Sequence, residues 1–596
     1  MLKTLSPELE ARVEDLLRQL TLREKIDLLS GRDSWSTMPV ERLGIPALVM
    51  TDGPHGVRTN QPDAGREVCT TTTAFPTGVS LASTWNPALV EQAAAALAEE
   101  TLATGCDILL GPCVNIIRTP IAGRNFEAYS EDPYLAGRTG VAYVKGLQGA
   151  GAGASLKHYA ANNQEIERYR GSSEVDERTL REIYLPHFEM VVKETQPWTV
   201  MCSYNRINGV YASQHHQLLT EILRDEWGFE GVVVSDWTAN HTTVDSLIGG
   251  LDLEMPGPAR WYGSLLQEAV YIWQIDAEVI DQAARRILRM IARSGRMDGP
   301  RRPGVLNTPG HQALARQVAE EAIVLLKNQD GILPLRPEEL RTLAVIGPTA
   351  VDLTISGGGS AYTEPPYRVT PLAALQQAFT GQVEVRYAPG CDNWQELPVL
   401  KAALVTPTKD GRPVEGGSGL YGEYFAGDGF EGSPLLERID PRLRLGWFSA
   451  GPTAGIGARF SARWSGRLEV PDGGRYTLRI SNSGLARLFI DNRLVLESQG
   501  EDENPRARHS SQAVLDLEAG RVYDLRLELV WQRLPQARGV PEGVVRERLV
   551  TVVPRHPSVQ SESGPHLEKA PLHLLVTDPV ALDGHRDVGL RRFHVF

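Results

Sequence analysis

The sequence predicts a multidomain α/β protein: a (β/α)8-like barrel, a partial α/β sandwich and an inserted all-β sandwich or barrel. Three observations carry this. Short apolar runs alternate with amphipathic helices over the first three hundred residues. Polar and aromatic residues collect at the C-terminal ends of those runs, where an α/β barrel keeps its chemistry. Near residue 415 helical periodicity stops and short alternating runs begin. A chain of 596 residues is also too long for one core.

The expected boundaries are 1–300 for the barrel, 310–410 for the first part of the sandwich, 415–535 for the β module and 536–596 for an atypical tail. Ser6 is an N-cap with Pro7 at the first helical position, and Glu8 and Glu10 lie near the positive end of that helix. Thr21 and Glu24 form a capping box for a second helix, which Gly31 ends. Five strands then run into polar ends. Leu48–Met50 leads to Asp52, Ile108–Leu110 to Gly111, Ser155–Leu156 to Lys157 and His158, Thr199–Met201 to Tyr204, and Val232–Val234 to Asp236. Helices are expected over Pro87–Leu102 and His216–Trp227, the latter stopped by Gly228.

One aspartate after a strand is an ordinary cap. Asp52, Lys157, His158, Tyr204 and Asp236 gathered on one rim make a candidate site. Arg124 either pairs with Glu127 or Glu131 on a solvated face or offers a guanidinium fork to a carbohydrate-sized pocket. The Gly149–Gly153 run precedes a strand, so it reads as a turn and not as a dinucleotide loop. His215 and His216 are adjacent, cannot share a metal, and are expected at the surface near a helix start.

A net charge of −13 argues against nucleic acid or an anionic membrane as partner and suits a neutral substrate. The five cysteines (Cys69, Cys106, Cys113, Cys202 and Cys391) form neither a disulfide framework nor a zinc pattern. The first residues carry charge throughout and no apolar h-region, so a cytoplasmic enzyme is expected, with no cofactor and with homo-oligomerisation open.

Residues 1 to about 300 resemble the barrel domain of glycoside hydrolase family 3, of the β-glucosidase type. The matching segments are Thr51-Asp-Gly-Pro-His-Gly-Val-Arg58, Phe75-Pro-Thr-Gly78, Gly123-Arg-Asn-Phe-Glu-Ala-Tyr-Ser-Glu-Asp-Pro133, Lys157-His-Tyr-Ala-Ala-Asn162, Met201-Cys-Ser-Tyr-Asn205 and Val234-Ser-Asp-Trp237. The resemblance implies that Asp236 is the nucleophile of a retaining glycosidase. It implies that Asp52, Arg124, Lys157, His158, Met201, Tyr204 and Trp237 hold the terminal sugar of a β-glucoside or short β-linked oligosaccharide. Asp52 would accept from sugar hydroxyls while Lys157 and His158 donate to them. Such chemistry needs a second carboxyl about 5–5.5 Å from the nucleophile. The N-acetylglucosaminidase branch is disfavoured, because the Lys157 loop lacks that branch's second histidine.

Leu343–Pro348 is expected as a parallel strand opening the family's second domain, with Pro300–Gly304 as a linker and Gly357–Ser360 as a loop near the site mouth. Gly419–Phe425, Phe460–Trp464, Tyr476–Ile480 and Leu488–Asp491 resemble a PA14 domain, without a calcium-type loop. In the tail, strand-like runs are Leu549–Val553 and Leu572–Val576, and the histidines fit no ligand pattern. The family's acid/base glutamate loop is not recognisable; Glu562 is a faint echo of it, and a truncated or frame-shifted end is the expectation for the tail. The leading expectation is therefore a retaining β-glucosidase whose acid/base is unassigned. The alternatives are a sugar-binding pseudoenzyme or severely impaired hydrolase, and a Schiff-base barrel enzyme using Lys157.

Overall fold

The computed structural model describes residues 6–58, 72–351, 353–363, 365–391, 400–441, 443, 452–453, 456, 459–482, 484–499 and 509–532, with the backbone of 573–576 and 593–594. These residues divide into two compact units. The first comprises the chain to Arg341 with Thr349–Glu384, and the second comprises Thr342–Pro348 with the chain from Val385.

In the first unit, β1 (Met50–Asp52), β2 (Ile108–Leu110), β3 (Gly153–Tyr159), β4 (Thr199–Cys202) and β5 (Val232–Ser235) form one parallel sheet in chain order. Every residue in them is buried, which is why these strands read as unbroken apolar runs and not as alternating ones. The ring then closes through single bridges. Val234 pairs parallel with Leu253 and Glu254 with Ser30, while Gly31 pairs antiparallel with Thr37 and Ser36 with Val49, beside β1. The (β/α)8-like barrel thus has five regular strands, and its remaining positions are held by isolated pairs.

Helices flank the sheet, and the two caps read from the sequence are in place. Ser6 accepts from Leu9 N–H at the start of Pro7–Gln19, and the Thr21–Glu24 capping box opens Leu22–Leu28. Asn86 caps Pro87–Ala103, whose apolar residues are buried on nearly every face, and Asp132 caps Pro133–Gly149. Helix Gln217–Glu226 ends where Gly228 takes φ +70°. Gly149–Gly153 is the turn into β3, and a Cβ on Gly153 would sit 2.2 Å from the Trp198 ring. His216 is exposed, but His215 is half-buried and its Nδ1 accepts the Leu218 N–H, a local cap that its sequence position did not show.

The expected linker is pinned down. Arg301 makes two bonds to the buried Asp107, at 2.7 and 2.9 Å, and Gly304 lies so close to Glu99 O that a Cβ would meet it at 1.9 Å. A Pro/Gly-rich stretch signals a turn, but only the fold shows that a buried carboxylate waits for its arginine.

In the second unit, Thr342–Ile346 lies between Glu384–Ala388 and His573–Val576. The pairing with His573–Val576 is antiparallel (Leu574 with Val345); a partner more than two hundred residues away leaves no local signal. Leu549–Val553 and Glu562 lie outside the described residues.

The β module in the same unit packs Arg459–Glu469 antiparallel against Leu420–Ala426 on one side and Val522–Gln532 on the other, with Leu485–Ile490 and Arg493–Gln499 continuing the sheet. A separate pair, Gly474–Asn482 with His509–Leu517, supplies further strands. Asp491 and Asn492 both take positive φ in the tight turn between Leu485–Ile490 and Arg493–Gln499. The buried Asp440 accepts from Tyr424 OH (2.5 Å), Trp464 Nε1 (2.8 Å) and Arg438 Nε (2.8 Å). Gly422 has to be glycine here, since a Cβ would lie 2.7 Å from Asp440 Oδ2.

Candidate active site

The rim is built strand by strand. β1 ends in Asp52, and the turn that follows folds back so that Arg58 N–H donates to Asp52 O at 2.9 Å. Gly53 permits this with φ +123°, a position where a Cβ would lie 2.0 Å from Gly56 O. The Asp52 carboxylate faces Arg58 Nη1 at 3.6 Å and Lys157 Nζ at 4.0 Å.

Lys157 and His158 are adjacent in β3 yet both are buried, 1% and 2% exposed. Neighbours in a regular strand point to opposite faces. Here the β3–β4 register shifts between Leu156 and Tyr159, which breaks that alternation. Asn115 then clamps His158: its Oδ1 accepts from His158 N (2.8 Å) and Nδ1 (3.2 Å), and its Nδ2 donates to His158 O (2.8 Å). At the other ring nitrogen, Arg124 Nη2 lies 2.8 Å from Nε2. A guanidinium can only donate, so Nε2 accepts and the proton sits on Nδ1. Burial, reinforced by Arg124, Lys157 and Arg168, holds His158 well below the usual histidine range and keeps it neutral.

Asp236 stands one residue past β5, 7% exposed, with its N–H on Cys202 O at 3.2 Å. Trp237 N–H donates to Asp236 Oδ1 at 2.7 Å, while Oδ2 lies 3.7 Å from His158 Nε2. Trp237 is anchored by its Nε1–H on Ser34 O (2.8 Å) and packs against Trp35 at 5.3 Å. Met201 on β4 is buried at 2% exposure. Tyr204 is buried under the Arg168 guanidinium, 4.8 Å from its ring centre, and packs edge-on against Tyr169.

Arg124 combines features of both sequence alternatives. It does pair with Glu127, but that pair is buried, with 17% and 1% of the side chains exposed, and it abuts His158. A small pocket open to solvent lies beside Arg124 and His158, bordered also by Asn115, Asn162 and Glu165. Phe126 packs edge-on against His55, and a Cβ on Gly357 would lie 2.3 Å from the Phe126 ring. Thr363 Oγ1 donates to Gly56 O at 2.9 Å, so the segment carrying Gly357–Ser360 returns to the rim.

Sequence reasoning did not single out Asn115, Arg168 and His55, and it named Glu127 only as one of two partners for Arg124 on a solvated face. Glu127 had a signal, three residues after Arg124 in the same segment. Arg168 had none beyond its charge, because its place over Tyr204 exists only in the fold. The cations Arg58, Arg124, Lys157 and Arg168 stand among the anions Asp52, Glu127, Glu165 and Asp236, a balance suited to a neutral polyhydroxylated ligand. Among the described residues no cluster of three or more His, Cys, Asp or Glu could hold a metal ion.

A parallel-stranded barrel with carboxylates, a lysine and a neutral histidine on its strand C-termini defines the class of α/β-barrel glycosidases. Residues 20–290 match the model of the glycosyl hydrolase family 3 N-terminal domain, and residues 416–540 match that of the PA14 domain. The chain is 40% identical over 528 residues to a β-glucosidase of Rhizobium radiobacter, covering 87% of this chain and 62% of that one. It is 32% identical over 539 residues to a probable β-glucosidase K of Aspergillus fumigatus, covering 89% and 67%. Among solved structures, the Kluyveromyces marxianus β-glucosidase in complex with glucose superposes with a TM-score of 0.79 at 32% identity, over 91% of this chain and 65% of that one. The chain belongs to glycoside hydrolase family 3. It spans 60–63% of the length of the first three curated relatives it matches.

Proposed function

We propose that the chain carries the sugar site and nucleophile of a retaining β-glucosidase, acting on terminal non-reducing β-D-glucosyl residues of β-glucosides or short β-linked oligosaccharides. The observation that carries this is Asp236 on the barrel rim, with Oδ1 tied to Trp237 N–H and Oδ2 open toward His158. The relatives' names and the glucose-bound neighbour support it.

Asp236 Oδ2, the oxygen without the backbone bond, attacks the anomeric carbon as the glycosidic C–O bond breaks. The resulting glycosyl ester is then hydrolysed by water with net retention. Asp52 accepts from sugar hydroxyls and Lys157 donates to them, while Met201, Tyr204 and Trp237 wall the ring. His158 acts differently from the sequence expectation: its N–H is spent on Asn115, so its role is to hold Arg124 in place. The acid/base is unassigned, and Glu562 is outside the described residues.

The test is turnover of 2,4-dinitrophenyl β-glucoside by the chain and by Asp236→Asn. The proposal expects turnover by the unaltered chain and a loss of about 10⁴-fold or more in the variant. Equal activity of the two would defeat it.

A further inference from the structure

Glu127 is a buried carboxylate to which the reaction scheme gives no part. Its Oε1 accepts from Arg124 Nε, and its Oε2 is buried without a partner among the described residues. The titratable groups around it are Arg124, Lys157 and His55; burial lowers the His55 pKa to about 4 and keeps it neutral, and among the described residues both its ring nitrogens also lack partners. Burial alone would favour the protonated acid, but Arg124 and Lys157 outweigh it and hold Glu127 ionised. A continuous chain of contacts follows: Glu127 to Arg124 Nε, Arg124 Nη2 to His158 Nε2 (2.8 Å), and His158 Nδ1 to Asn115 Oδ1 (3.2 Å). Arg124 is a long side chain with several rotatable bonds. Glu127 takes one edge of its fork and leaves the plane that meets His158 determined.

We propose that Glu127 is a positioning residue of the sugar site, holding the Arg124 guanidinium on His158 Nε2 and balancing the charges of Arg124 and Lys157 around the nucleophile. It touches neither sugar nor anomeric carbon and acts through Arg124. The kinetic part of this inference rests on the proposed role of Asp236, whereas the geometric part does not.

The test has two arms. In the first, kcat/KM against pH is measured for an aryl β-glucoside with Glu127→Gln and Glu127→Asp. Glu127→Gln keeps the shape and removes the charge, so kcat/KM falls about 10- to 100-fold, as for other supporting-shell changes. The acid limb moves to lower pH, because the under-compensated cations favour ionised Asp236. Glu127→Asp returns the limb toward its original position without restoring the full rate, since its reach is one methylene short. A merely structural residue would lower the active fraction and leave the limb where it was. In the second arm, a crystal structure of Glu127→Ala shows Arg124 Nη2 withdrawn from His158 Nε2. An unmoved acid limb with unaltered kcat/KM in Glu127→Gln, or Arg124 still on His158 in Glu127→Ala, overturns the inference. Failure of both variants to fold also counts against it, in favour of a structural role. An unaltered chain that hydrolyses no aryl glucoside removes the functional proposal alone, and the crystallographic arm then decides Glu127.

Discussion

At the scale of single residues, the site depends on side chains whose protonation the fold dictates. His158 is neutral because burial and flanking cations disfavour its charge, and Asn115 decides which nitrogen keeps the proton. Asn115→Ala should therefore lower kcat/KM by about 10- to 100-fold, while melting temperature changes little by comparison; steady-state kinetics beside thermal melts check this. That Asp52, Lys157, His158, Tyr204 and Asp236 stand in or just past the C-terminal ends of the strands was legible from the apolar runs before them. That His158 Nε2 meets Arg124 Nη2 was not legible. Nothing in a one-dimensional sequence says which nitrogen meets a guanidinium that lies 34 residues away.

Among elements, one histidine of helix Pro309–Glu321 bridges to two carboxylates of Pro87–Ala103. His311 Nδ1 lies 2.9 Å from Glu100 Oε1 and Nε2 lies 3.0 Å from Glu99 Oε2. Its hydrogen bond to Glu100 raises its pKa above the ordinary value, against burial. A raised folded-state value means that the stabilisation is fully present below the unfolded histidine value, near 6.5, and is lost as pH rises through the folded value. His311→Gln should therefore destabilise the protein more at pH 5.5 than at pH 9, as read by urea midpoints across that range; a pH-independent penalty would contradict it. In the β module, Trp464→Phe leaves Asp440 short of one donor in a buried setting and should cost about 1–3 kcal/mol in denaturant unfolding. The barrel strands and the helices at Pro7–Gln19, Leu22–Leu28, Pro87–Ala103 and Gln217–Glu226 were legible from caps and periodicity. The bridges at 30–31, 36–37 and 253–254 were not, since a single pair imposes no alternation on its neighbours.

Across the whole molecule, the family assignment rests on the barrel segments and on relatives longer than this chain. The Arg301–Asp107 contact and the antiparallel partner of Thr342–Ile346 were hidden from the sequence for one reason: both are set by residues far away in the chain. The central claim is that Asp236 is the nucleophile. Its most direct measurement is inactivation by 2-deoxy-2-fluoro-β-glucosyl fluoride followed by peptide mass mapping, which traps the glycosyl ester. The account predicts one sugar on the peptide containing Val234-Ser-Asp-Trp237, located on Asp236. A label on any other residue, or none on a chain that turns over aryl glucosides, would contradict it.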